Sequence, residues 1–172
     1  RPAVRADLAL KLPVLSGVAL EVGQAHLRYE EGRLYVEEVV VADGRSQARL
    51  SGEYRPDTGL ALELVGDPLD IGALSADTHQ RWGLALSGTA RGQAWFRGAA
   101  SDPEISFQVR SEALGVNDEQ VGEVSAAGRL VHGDLRLEEA ELRRGDTRIA
   151  VSGEVGLASD RLGLDWKIEN LD

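Results

Sequence analysis

The chain of 172 residues contains no cysteine. Disulfides, zinc–thiolate sites, iron–sulfur clusters and thiol nucleophiles are therefore excluded. The compartment stays open, because reducing and oxidising surroundings both tolerate a cysteine-free chain. Aromatic residues are scarce, at 5 %. Basic residues are outnumbered, 19 Lys and Arg against 29 Asp and Glu, for a net charge of −10. That balance argues against nucleic acid as a partner, since a phosphate backbone calls for a basic surface. Long hydrophobic runs are also missing. No charge-free stretch exceeds about nine residues, too short for a spanning helix. There is no initiator Met and no signal peptide, so the chain reads as a piece of a longer protein. What is present is 42 % apolar residues and 20 glycines, enough apolar content for a folded domain and too much for a disordered tail.

The apolar residues recur with period two. Leu60, Leu62 and Leu64 share one face against Ala61 and Glu63, as do Leu162, Leu164 and Trp166 against Gly163 and Asp165. Ile105, Phe107 and Val109 alternate with Ser106 and Gln108. Successive strand residues point to opposite faces, so each segment predicts a strand with one apolar side. The run Leu34, Val36, Val39, Val41 changes phase at Glu37-Glu38, which predicts a β-bulge and a bend in the sheet. Turn signals such as Glu31-Gly32, Asp43-Gly44, Pro56-Asp57-Thr58-Gly59, Asp102-Pro103 and Gly145-Asp146 separate the runs. The spacing predicts an all-β fold, a curled antiparallel sheet of roughly eleven or twelve strands. One short helix is predicted near 68–76, with Asp67 as its N-cap, Pro68 in its first turn and its end before Thr78.

The sequence repeats at an offset of 101. Gly32, Leu34, Glu37, Glu38, Gly44 and Ser51-Gly52-Glu53 recur as Gly133, Leu135, Glu138, Glu139, Gly145 and Ser152-Gly153-Glu154. One inserted residue later, Leu60, Leu62, Leu69 and Asp70 align with Leu162, Leu164, Leu171 and Asp172. The whole chain reads as a single segment of a repeat protein, with units about 17–71 and 118–172 and a strand-and-helix segment 72–117 between them.

A sheet with one apolar face must hide it against a second sheet, by closing into a barrel, or under helices. Helix is almost absent. The inward set is mostly Leu, Val, Ile and Ala, which suits a curled sheet whose apolar face lines an open groove. The alternative is an ordinary closed core. Open apolar surface costs roughly 25 cal/mol per Å², so a persistent apolar groove marks a ligand or partner site. A long, featureless aliphatic groove suits an acyl chain.

Three segments resemble the AsmA-like superfamily, in particular its TamB family. They are Leu86-Ser87-Gly88-Thr89-Ala90-Arg91-Gly92 with Phe96-Arg97-Gly98 and Asp102-Pro103-Glu104-Ile105; Gly133-Asp134-Leu135-Arg136-Leu137 with Gly145 to Glu154; and Leu69-Asp70-Ile71-Gly72-Ala73-Leu74, like the family's short helical insert. Together they span nearly the whole chain. The resemblance implies a groove of β-strands (a β-taco) in the Gram-negative periplasm, in a parent protein anchored in the inner membrane. It implies passive movement of phospholipid between the membranes and support of outer-membrane protein assembly and secretion with a TamA-like outer-membrane barrel. It carries no catalytic residues and no cofactor.

The residues expected to line the groove are Leu60, Leu62, Leu64, Leu84, Leu86, Phe96, Ile105, Phe107, Val109, Leu135, Leu137, Ile149, Val151, Leu162, Leu164 and Trp166. An enzyme is not expected. His26, His79 and His132 read as surface residues, and no nucleophile elbow, P-loop or His-Glu-x-x-His motif accompanies Asp77 and His79. The pairs Glu30-Glu31, Glu37-Glu38 and Glu138-Glu139 lack calcium-loop spacing. As neighbours on a strand, the members of each pair are expected on opposite faces. A structural or carbohydrate-binding β-domain is the competing class, with Trp82 and Trp95 as its candidate platforms. Two exposed sheet edges predict edge-strand self-association.

Overall fold

A computed structural model describes residues 3–10, 22–74, 83–156 and 161–170. The predicted helix end at Thr78, the pair Asp77 and His79, Trp82, and the repeat matches at Leu171 and Asp172 lie outside the described residues. So do residues 17–21 of the first repeat unit.

Twelve strands form one open antiparallel sheet. They are β1 (Val4–Leu10), β2 (Val22–Glu30), β3 (Arg33–Ala42), β4 (Gln47–Arg55), β5 (Gly59–Asp70), β6 (Leu86–Ser87), β7 (Thr89–Gly98), β8 (Glu104–Val116), β9 (Glu119–Val131), β10 (Asp134–Arg144), β11 (Thr147–Gly156) and β12 (Arg161–Glu169). The strands follow chain order across the sheet, except that short β6 steps aside to pair with β8, so that β5 meets β7. The substantial contacts between strands all join sheet neighbours. Among the described residues the curled sheet does not close on itself, and no second layer packs on it.

The helix differs from the expectation. α1 spans Ile71–Leu74, while Asp67 and Pro68 belong to β5 at an irregularity in its pairing with β7 between Gly66 and Leu69. The capping carboxylate is that of Asp70, whose Oδ1 accepts from the Ala73 amide at 3.2 Å. Its backbone N–H donates to Ser46 Oγ at 2.8 Å. Tertiary pairing with β7 carries the strand through Pro68, which a local reading of Asp-Pro as a helix start does not foresee.

The bulge stands where the phase change predicted it. His26 pairs with Glu38 and Leu27 with Val36, leaving Glu37 as the extra residue. The same device recurs at Glu138, where Leu137 pairs with Gly128 and Glu139 with Ala127. Gly52 and Gly153 also match, with φ of 132° and 140°. A Cβ at either would sit 2.1 Å from the carbonyl oxygen of the adjoining strand, Ala61 O or Gly163 O. Only glycine fits where the backbones approach that closely.

The surface area reflects the open architecture. The accessible area is 11738 Å², whereas a compact monomer of this mass exposes about 8,200 Å². Among the described residues the buried apolar side chains are only Ala25 and Ala90, and no large side chain is fully buried. No described helix is long and apolar enough to cross a membrane.

Candidate functional site

Strand pairing brings the expected groove residues into rows across one face. One row runs Ala6, Leu27, Val36, Gly52, Leu62, Phe96, Ile105, Leu130, Leu135, Val155 and Leu162. The next runs Leu8, Ala25, Val39, Leu50, Leu64, Ala94, Phe107, Gly128, Leu137, Gly153 and Leu164. Val109 faces Ala126, which faces Ala140, followed by Val151 and Trp166. Leu60 stands opposite Tyr54 at one margin, and Ile149 lies between Leu142 and Ile168 at the other. Leu86 pairs with Val116 at that same end. Leu84 lies in the irregular segment before β6, 38 % exposed. Leu162 is placed here by its backbone alone.

The bulges keep this face continuous. An extra residue at Glu37 and at Glu138 restores the alternation, so Val36 and Val39, or Leu137 and Ala140, stay on one side. Glycines then let large side chains lie across the sheet. A Cβ at Gly128 would be 2.9 Å from the Phe107 ring, and one at Gly66 would be 2.6 Å from Leu69 Cδ1. The leucines and valines at the centre are half-buried by their row neighbours, and exposure rises at the two edges: Val4 is 59 % exposed and Trp166 70 %.

The expected groove residues included none from β1 to β4. Leu8, Leu27, Val36, Val39 and Leu50 belong to this face, as do Leu130, Leu142 and Val155. The alternation of β3 was legible, but its side of the sheet depends on pairing with β2 and β4.

The opposite face is charged. Glu63 pairs with Trp95, which pairs with Ser106, so Trp95 lies half-buried on this polar side. Here the acidic pairs depart from the expectation. Glu37 accepts from Arg28 Nε at 3.0 Å and Glu38 pairs with Arg49 at 2.8 Å. Arg28 stacks over the Tyr35 ring at 4.0 Å, and both arginines belong to the polar face. Both carboxylates of the pair therefore lie on one side, because the bulge breaks strict alternation. At the second bulge Glu138 pairs with Arg129 at 2.8 Å. Glu37, Glu38 and Glu138 each meet an arginine rather than a shared centre.

A three-residue cluster on this face was not legible in the sequence. Glu141 is 9 % exposed and is held by Arg143 and Arg148, the latter through Nε at 2.7 Å. Hydrogen bonds from Arg148 and then Arg143 hold its carboxyl below the usual range. Indentations of ≈ 560 Å³, lined by Val65, Arg91, Gln93, Gln108, Arg110 and Glu139, and of ≈ 580 Å³, lined by Arg136, Glu138, Glu154 and Asp165, also lie on the polar side. Charged side chains rim both, and the first also exposes Val65, Ala126 and Ala127.

His26 is exposed and bonded through Nδ1 to Asp7 at 2.7 Å, which raises its pKa. His132 is bonded to Asp102. Among the described residues no group of three His, Asp or Glu stands where it would hold a metal ion. No protein-family model, curated protein or solved structure matches this chain.

Proposed function

We propose that the chain is a lipid-handling segment of the TamB kind, a surface along which phospholipid acyl chains travel. The observation that carries this reading is the apolar face itself. It runs without a polar break from β1 to β12 in its two central rows, and among the described residues no layer covers it. A soluble domain that leaves so much aliphatic surface open has a partner that covers it.

The mechanism is passive. Each CH₂ moved from water to an apolar surface gains about 0.8 kcal/mol, so drawing a two-chain lipid into water costs tens of kcal/mol. A continuous aliphatic surface removes most of that cost while the head group stays in water. The side chains are nearly all Leu, Val, Ile, Ala and Phe, so contacts are uniform along the path and the chains slide without a deep trap. No catalytic residue enters this reading. In it, the parent protein spans the periplasm from the inner membrane toward a TamA-like outer-membrane partner, and the same surface serves outer-membrane protein assembly.

The test is mass spectrometry of lipid retained through gentle purification. Leu62→Arg places a charge between Gly52 and Phe96 in the central row and is expected to abolish most lipid retention, as is Leu164→Arg. Glu63→Lys, on the polar face, is expected to leave retention unchanged. Equal lipid in all three variants and the parent chain overturns the reading.

A further inference from the structure

We infer that the polar face carries a second binding site, a shallow cleft across β5, β7, β8, β9 and β10 that takes an extended β-linked oligosaccharide. The cleft is the indentation of ≈ 560 Å³, within the roughly 300–1,000 Å³ of ligand clefts. It lies in the interior of the sheet, and neither edge strand contributes to it. A bulge stands at each end, in β5 between Gly66 and Leu69 and in β10 between Leu137 and Glu139. Bulges bend the strands that carry them and are common beside binding sites. The site lies on the opposite face from the acyl-chain path and does not depend on it.

Strand register lays the cleft out as a ladder. Val65 pairs with Gln93, Gln93 with Gln108, Gln108 with Ala127 and Ala127 with Glu139, one residue per strand. Strands stand about 4.8 Å apart, close to the rise of one sugar in an extended β-1,4 chain, so successive sugars meet successive strands. Gln93 and Gln108 are exposed, and their side chains make no hydrogen bond among the described residues. Each offers an amide oxygen and two N–H donors, which suits neighbouring hydroxyls. Val65 and Ala127 are half-buried and give apolar steps for the C–H faces of the rings. Trp95 stands two residues along β7 from Gln93 on the same face, half-buried, a ring beside the ladder on which a pyranose can stack.

The charges argue against other ligands. Arg91 is held by Asp67 at 3.0 Å and Arg110 by Glu123, so neither guanidinium is free for an anion. Asp67 on β5 and Glu139 on β10 stand four strand spacings apart, about 19 Å, too far to share a metal ion. A charged rim disfavours hydrocarbon. Amides, apolar steps and one indole remain, and they match a neutral ligand with hydroxyl edges and apolar ring faces.

The test is NMR titration of the whole chain. The probes are the β-1,4-linked pentamers of glucose and of N-acetylglucosamine, with the curved α-1,4-linked glucose pentamer as control. The chain has three tryptophans, so Trp82→Phe and Trp166→Phe assign the indole N–H of Trp95. A β-linked pentamer is expected to shift that signal and the side-chain amides of Gln93 and Gln108, and the α-linked one is not. Gln93→Ala/Gln108→Ala, at exposed positions, is expected to weaken binding about tenfold. Gln24→Ala, an exposed glutamine of β2 outside the cleft, is expected to leave binding unchanged. The inference is overturned if neither β-linked pentamer moves these signals, if the α-linked pentamer moves them equally, if the double variant binds as tightly as the parent chain, or if inorganic phosphate moves them in place of the sugars.

Discussion

Gly52 offers a sharp test of how closely the strands are laid together. Its φ is 132°, and a Cβ there would stand 2.1 Å from Ala61 O and 2.9 Å from Leu62 Cα. Both obstacles are backbone, so no side chain can swing away. Gly52→Ala must shift β4 against β5 or abandon part of their pairing. Backbone strain of this kind costs about 1–3 kcal/mol, and forced overpacking adds about 1–3 kcal/mol. The expected loss is about 2–6 kcal/mol, a large share of the roughly 5–15 kcal/mol typical of a domain. Gly32→Ala is the control. It lies at φ 81° with nothing within 4 Å of the added Cβ, so it bears strain alone, about 1 kcal/mol. Gly153 repeats the Gly52 geometry between β11 and the edge strand β12, which has room to splay, so Gly153→Ala should cost less than Gly52→Ala. Urea unfolding followed by circular dichroism reads all three. Equal midpoints for Gly52→Ala and Gly32→Ala would refute the argument that close backbone approach, rather than φ, makes this position glycine.

The apolar face should bind the dye ANS in the native state at neutral pH, and Leu62→Arg should lower that fluorescence while Glu63→Lys should not; a native chain that leaves ANS dark has a covered face. Glu141 has a folded-state pKa below its ordinary 4.5, so its contribution to stability is present above that value and is lost as pH falls through the lower folded one. In Glu141→Gln the urea midpoint should therefore lose part of its decline on acidification, and an unchanged pH profile would exclude the Arg148 and Arg143 contacts as the cause. His26 shows the opposite sign: its pKa is raised above 6.5 chiefly by Asp7, so its contribution is full below 6.5 and is lost as pH rises through the folded value. Asp7→Asn should bring the His26 titration, followed by NMR, back down toward 6.5.

Period-two alternation of Leu60 to Leu64, Ile105 to Val109 and Leu162 to Trp166 determined by itself that this chain forms strands with one oily side. The phase change at Glu37-Glu38 located the first bulge, since a break in alternation has few other backbone solutions, whereas the second, at Glu138, emerged only from strand pairing. Tertiary structure alone decided which strands share a side. That depends on register, and one residue of slip moves a strand's whole apolar set to the other face. Pairing with β7 likewise drew Asp67-Pro68 into β5, overriding a local helix-start signal. The bulge placed both Glu37 and Glu38 on the charged face, and folding β10 against β11 assembled Glu141 with Arg148. Local sequence sets the direction each side chain points relative to its neighbours along the chain. Hydrogen bonding between distant strands sets what it points toward.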